Sequence, residues 1–232
     1  MPEYLIERLS INNLDHLKNL YYSTYSKVVS IEFLKGKYNT KVYGATWLGF
    51  IAFINDRKAA AFYGVIPCRF KIDNEIFLSA QSADTMTHPD HQKKGLFIQL
   101  AKMTYELGKQ EGVQFIFGFP NQNSYSAFVK LNWKFMPLPM QLFTMEGSKL
   151  PWAALLLKIP ILKNLYMLLT ERSLVAETEV DLSAENGIVR DRLFLQYKNQ
   201  YTKTFMKKWD RVIAWMKNDG VLKIGLLSLF LF

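Results

Sequence analysis

Thr87-His88-Pro89-Asp90-His91-Gln92-Lys93-Lys94-Gly95-Leu96-Phe97 joins a strand-like run to an amphipathic helix through a basic turn that contains a glycine. Upstream, Glu75 to Thr87 mixes β-branched, aromatic and small residues over a length typical of strands. Downstream, Leu96, Leu100, Met103 and Leu107 recur at helical spacing, with Lys102, Glu106 and Lys109 on the other face. The backbone N–H groups of Lys93 to Phe97 are then expected to be the unpaired donors of a helix start, where the helix dipole favours an anion. Gly95 has no side chain to obstruct a ligand. A strand, a polar turn and a helix also occur together where nothing binds, so these residues alone leave phosphate binding and a plain turn both open.

The rest of the chain sets the scale of the molecule around that turn. Its 232 residues, 50% hydrophobic and 15% aromatic, suffice for one large domain or a domain with an appendage. The formal charge of +9 and a pI near 9.4 favour polyanionic partners, among them nucleic acids, anionic lipid surfaces and coenzyme phosphates. The densest basic cluster, Lys203, Lys207, Lys208 and Arg211, spaces like a solvated helix face, which disfavours nucleic acid. Cys68 is the sole cysteine and sits in an apolar run, so it reads as a buried thiol and fits a cytoplasmic protein. The N-terminus shows no basic segment followed by an apolar one, so no signal peptide is expected. Leu150 to Leu169 is interrupted by Pro151, Lys158, Pro160, Lys163 and Asn164, and Val221 to Phe232 is short, so neither is expected to span a membrane. Contact with a bilayer surface, or a homodimer through the apolar C-terminus, stays open.

Element by element, Tyr4 to Leu9 reads as a strand, and Asn12 or Asn13 caps a helix through about Ser26. Ile31 to Tyr38 reads as a second helix. Trp47 to Ile54 and Ala59 to Ile72 form a hairpin through Asn55-Asp56-Arg57-Lys58, and Asp73-Asn74 turns into the strand ending at Thr87. The helix after the basic turn runs to about Glu111, where Gly112 stops it. Val113 to Phe119 follows as a strand, Ser124 to Leu131 as a helix, and Trp133 to Met145 as a strand broken by Pro137 and Pro139. Pro151 to Thr170 and Asp191 to Asn218 read as helical. No metal site is persuasive, because His16, His88 and His91 lack acidic or thiol partners at ligand spacing.

The run from Thr87 to Phe97 resembles the acetyl-CoA signature of the GNAT N-acetyltransferase superfamily, with Pro89, Gln92 and Gly95 matching and Phe97 standing where the pattern has Gly or Ala. The order of elements from Tyr4 to Glu146 is similar to that fold. The resemblance implies an α+β chain with a mixed, mostly antiparallel central sheet flanked by helices, and a helix-rich C-terminal extension. The implied domains are 1–147, binding acetyl-CoA, and 148–232, an extension resembling a degenerate or truncated second half. It places the coenzyme pyrophosphate on Gln92, Lys93, Lys94, Gly95, Leu96 and Phe97, and the pantetheine arm along Met86 and Thr87. Asn121 stands where the family has an Asn that bonds this arm, with Asn123 as a second candidate; both also suit a turn beside Pro120.

Acetyl transfer to an amine needs a proton acceptor, donors that polarise the thioester and an acid for the leaving thiolate. Gln81 occupies the position of the glutamate base of histone-acetylating relatives and cannot accept a proton at neutral pH. Phe128 occupies the position of the tyrosine acid, four residues before Asn132-Trp133. Asp84, His88 and Tyr125 stand near enough to replace them. Each has a plain reading too: Asp84 as a cap or a lysine partner, His88 as a turn residue before Pro89, Tyr125 as packing. Positioning of two reactants can carry much of such a reaction without either group.

The resemblance therefore implies transfer of an acetyl group from acetyl-CoA, without a metal, to an amine or hydroxyl of a small molecule, a sugar or polysaccharide precursor among the acceptors. Two other readings stand beside it. One is a non-catalytic relative that binds coenzyme A or a protein partner; the other is an aminoacyl-tRNA-dependent transferase of the same fold, against which the coenzyme signature counts.

Overall fold

The computed structural model describes residues 3–136, 159, 161–162, 186–202, 204–209, 212–218 and 222–229. The first strand, β1 (Leu5–Arg8), leads to helices α1 (Leu14–Tyr25) and α2 (Ile31–Tyr38). Three antiparallel strands follow, β2 (Gly49–Phe53), β3 (Ala59–Ile72) and β4 (Glu75–Thr87). After β4 come α3 (Leu96–Gln110), β5 (Phe115–Phe117) and α4 (Gln122–Lys130), and later β6 (Gly187–Ile188) and α5 (Arg192–Asn199). Three more strands, β7 (Thr204–Trp209), β8 (Val212–Asn218) and β9 (Leu222–Leu229), complete the described elements.

Local chemistry accounts for the main boundaries. The Ser30 hydroxyl accepts the Phe33 N–H at 3.1 Å and starts α2. Between β3 and β4 both turn residues, Asp73 and Asn74, have positive φ, 48° and 68°, which is why an Asp-Asn pair makes this tight hairpin.

The strands lie in the order β1-β2-β3-β4-β5, antiparallel except for the parallel β4–β5 pair, with the short β6 added to β3. Each face of the sheet buries its own apolar cluster. On one, Leu96, Leu100, Ala101 and Leu107 of α3 pack against Tyr63, Val65 and Ala80. On the other, Leu14, Leu17, Leu20 and Tyr21 of α1 and Leu34 and Tyr38 of α2 pack against Ile51, Phe53, Phe62 and Met86. Each Leu, Ile, Val, Phe or Met side chain among them, fully buried, contributes about 1.5–3 kcal/mol of transfer free energy. This is the mixed, helix-flanked sheet that the sequence led us to expect.

The end of the chain departs from expectation. Of the described residues from Asp191 to Asn218, a range read as helical, only Arg192–Asn199 are helix, and β7, β8 and β9 form an antiparallel sheet in the order β7-β8-β9. Residues 133–136 are not strand, and the rest of the strand expected over Trp133 to Met145, with nearly all of Pro151 to Thr170, lies outside the described residues. The chain divides into two compact units, the first uniting residues up to Trp133 with Asp181–Tyr201 and the second including β7 to β9.

Candidate active site

β4 is paired with β5 only at Ser79, Ala80 and Gln81, opposite Phe115, Ile116 and Phe117. Beyond Gln81 it stays paired with β3 up to Thr87, so its other edge has no strand partner among the described residues. The register slips where Gly64 faces Asp84 and Val65 faces Ser82, leaving Ala83 as the extra residue of a bulge. Gly118 follows β5 at the point of divergence: a Cβ there would lie 3.1 Å from the Ser82 Cβ. The sheet thus opens into a cleft whose wall is the bare edge of β4, the segment containing Met86 and Thr87. Met86 points its buried side chain at α1 and α2, so only its backbone is available to this edge.

The basic turn lies at the end of that edge. Lys93 and Gly95 both have positive φ, 60° and 80°, and Gly95 caps α3. The first helical bond runs from the Gln99 N–H to the Gly95 carbonyl at 3.1 Å, so the N–H groups of Leu96, Phe97 and Ile98 precede any intrahelical acceptor. A Cβ on Gly95 would meet nothing within 4 Å, so the turn is open at this residue. Gln92, Lys93 and Lys94 are exposed, and the Lys94 ammonium donates to the Asp90 carbonyl at 2.9 Å. The side chains of Leu96 and Phe97 turn inward: Leu96 is in the core, and Phe97 meets Tyr63 and Phe128 edge-on. Phe at the last signature position is therefore compatible with the turn, because only its backbone faces the opening.

Asn121 caps α4, its side-chain oxygen accepting the Asn123 and Ser124 N–H groups at 3.0 Å each. That is the turn role the sequence allowed for it; Asn123 is exposed in the first turn of the same helix. Tyr125 is half exposed on α4, whereas Phe128 is buried against Trp133 with ring centroids 4.4 Å apart. His88 closes β4, and its Nδ1 accepts the Asp90 N–H at 3.3 Å.

Asp84 lies in the densest polar cluster. Its carboxylate accepts hydrogen bonds from the Tyr21 and Tyr38 hydroxyls and pairs with the Lys37 ammonium at 2.5 Å. Burial pushes its pKa up, but the Lys37 charge and the three donors outweigh that and hold it below the usual carboxylate range. A carboxylate stabilised in this way is a weak proton acceptor at neutral pH. The lysine-partner reading of Asp84 thus describes its surroundings.

Sequence reasoning overlooked two groups. The first is a hydroxyl chain at the cleft: Tyr63 bonds Ser82 at 2.9 Å and Tyr105 at 3.1 Å, and the Trp133 indole donates to Tyr105 at 3.0 Å. Burial raises the pKa of Tyr63 and Tyr105, so both phenols stay protonated at neutral pH. The second is α5, whose Tyr197 hydroxyl donates to the Lys37 carbonyl at 2.6 Å. Contacts across 160 residues leave no periodicity to read. A cavity of about 700 Å³ lined by Tyr105, Lys109, Phe115 and Trp133 lies at the far end of α3, away from the basic turn.

Comparison with known proteins follows the same outline. Residues 16–136 match the family model described as an acetyltransferase (GNAT) domain. Similar solved structures include a Trypanosoma brucei acetyltransferase, 13% identical with a TM-score of 0.49 over 61% of this chain and 100% of that one. Glucosamine-6-phosphate N-acetyltransferase from Arabidopsis thaliana is 11% identical, with a TM-score of 0.49 over 61% of this chain and 98% of that one. A GNAT family N-acetyltransferase from Escherichia coli in complex with CoA is 12% identical, with a TM-score of 0.43 over 55% of this chain and 68% of that one. No curated protein matches the chain.

Proposed function

Because the chain belongs to the GNAT acetyltransferase family, we propose that it transfers an acetyl group from acetyl-CoA to an amine of a small molecule. The observation that carries this reading is the pairing of the Lys93–Gly95 turn, with its outward N–H donors, and the unpaired edge of β4. The coenzyme phosphates would be held by the amides of Leu96, Phe97 and Ile98 and by Gln92, Lys93 and Lys94. The pantetheine arm would extend the sheet along Met86 and Thr87 as an added strand. Bound coenzyme supplies the acetyl thioester.

The helix α3 and the phosphates occupy one face of the cleft, so the acceptor reaches the thioester from the face of α1, α2 and α5. Asp84 on that face fixes Lys37, Tyr21 and Tyr38 and acts as a positioning residue. Proton delivery to the thiolate falls to a phenol, Tyr125 or the Tyr63–Ser82–Tyr105 chain, since Phe128 has no proton to give. His88, at the end of the β4 edge, is the group proposed to take the proton of the acceptor. Asn121 and Asn123 at the start of α4 border the opposite wall.

The buried Phe128 and the saturated Asp84 also favour a second reading, a coenzyme-binding protein without turnover. Release of the coenzyme thiol from acetyl-CoA, followed across amino sugars, amino acids and amines, separates the two. Acceptor-dependent thiol release supports transfer; tight coenzyme binding with none across the panel supports the second reading. The proposal extends to a cytoplasmic protein whose residues 1–147 form the acetyl-CoA-binding domain and whose residues 148–232 are an extension of it.

A further inference from the structure

Lys198 on α5 is a mostly buried cation with no carboxylate in ion-pairing distance among the described residues. Its ammonium donates to the Tyr201 hydroxyl at 2.9 Å and lies over the rings of Phe194, Tyr197 and Tyr201, 5.3 to 5.8 Å from their centroids. A continuous wall joins it to the acceptor face. Tyr201 meets Phe33 edge-on at 5.7 Å, Lys37 lies 5.7 Å from the same Phe33 ring, and Lys37 pairs with Asp84 beside the open edge of β4. Along this wall the charges do not balance. Arg69 is matched by Asp191 and Lys37 by Asp84, whereas Lys198 has no such carboxylate among the described residues.

We propose that Lys198 binds an oxyanion of the acceptor, a carboxylate or a phosphate, so that the enzyme acetylates amines carrying a negative group. This rests on the acetyl-transfer reading above. A desolvated ammonium that has only a phenol and aromatic faces for company is poorly compensated, and an anion supplies what is missing. The electrostatics agree. Burial and the nearby Lys37 and Arg190 cations bring the Lys198 pKa down to about 8, against an opposing pull from Cys68. The phenols of Tyr43, Tyr197 and Tyr201 have raised pKa values, chiefly through burial, and so remain neutral and cannot serve as counter-ions. The Cys68 thiol is likewise raised by burial. An oxyanion beside Lys198 stabilises its charged form and returns its pKa toward the usual lysine range.

The test follows the Lys198 ammonium by NMR in lysine-labelled protein, with the signal assigned from a Lys198→Arg variant. Inorganic phosphate in one arm and acetate in the other distinguish the two kinds of oxyanion. Either should raise the Lys198 pKa by about one unit while Lys37 moves less, and the effect should persist in a Gly95→Asp variant, where the basic turn is blocked. In turnover, an amino acid should exceed its own amide, or an amino-sugar phosphate its parent sugar, by about tenfold in kcat/KM. Lys198→Met should erase that preference by slowing only the anionic member, and Lys198→Arg should keep it. A Lys198 pKa unmoved by both anions, or a preference unchanged in Lys198→Met, overturns the proposal. Failure of acetyl-CoA to bind overturns the transfer reading and the acceptor assignment with it, and is told apart because the Lys198 titration does not depend on coenzyme.

Discussion

Asp84 shows how one residue's surroundings decide its role. Its carboxylate, with the side chain 17% exposed, is surrounded by donors from α1 and α2. Asp84→Asn leaves the Lys37 ammonium without its counter-charge in a mostly buried place, and is expected to cost about 3 kcal/mol, read by chemical denaturation. The pH dependence has a definite sign. The folded pKa lies below the unfolded value of about 3.9, so the unfolded chain takes up the proton first. The stabilisation is therefore complete above about pH 4 and is lost as pH falls toward the folded pKa. Denaturation measured from pH 6 down to about 2 should show this loss in the wild-type protein and a flatter profile in Asp84→Asn. From the sequence, Asp84 is just a carboxylate near a glutamate-like position; the phenols and ammonium that neutralise it come from Tyr21, Lys37 and Tyr38, dozens of residues away.

At the level of elements, the packing of α2 against α5 depends on Gly36. A Cβ at Gly36 would lie 2.6 Å from the Gln200 carbonyl oxygen, which is backbone and cannot swing aside. Gly36→Ala should destabilise the protein by about 1–3 kcal/mol through overpacking. The same change in an isolated helix would be mildly favourable, so the sign of the denaturation shift discriminates between the two effects. The local elements were the legible part of this chain. The range of α2 is the one read from the sequence, and the hairpin turns fall at Asn55–Lys58 and Asp73–Asn74. The signature helix and the strand before it are likewise where their patterns put them. What stayed hidden is pairing between distant segments, β6 on β3 and α5 on α2; the strands β7 to β9 pair with their sequence neighbours and were hidden because the segment reads as helical. Val212-Ile213-Ala214-Trp215, rich in strand-forming residues, was a local sign of that last sheet.

Across the whole molecule, the sheet separates two chemistries. The α3 face offers backbone donors and surface lysines to an anion, and the opposite face offers a carboxylate, phenols and two lysines along an aromatic wall. With a formal charge of +9, the chain should attract a polyphosphate coenzyme most strongly at low ionic strength. Acetyl-CoA affinity should accordingly fall as salt rises past about 0.1 M, where the screening length shrinks to about 10 Å. The part of the site read from sequence was the turn, because a helix start with a glycine and two lysines is a local feature. The resemblance also pointed to the edge at Met86 and Thr87; the parting of β4 from β5, the hydroxyl chain and Lys198 were not read, because each depends on which strands separate and which helices dock.

Coenzyme binding is expected to depend on the turn at Gly95, and calorimetric titration of acetyl-CoA into three proteins tests this most directly. Wild type should bind with micromolar affinity, on the order of −8 kcal/mol. Gly95→Asn keeps a residue that tolerates positive φ and adds no charge, so it should bind within about tenfold of wild type. Gly95→Asp sets a carboxylate against the phosphates and should lose at least about 2 kcal/mol more than Gly95→Asn. Folded wild-type protein that does not bind acetyl-CoA, or Asp and Asn variants that bind alike, would contradict the account.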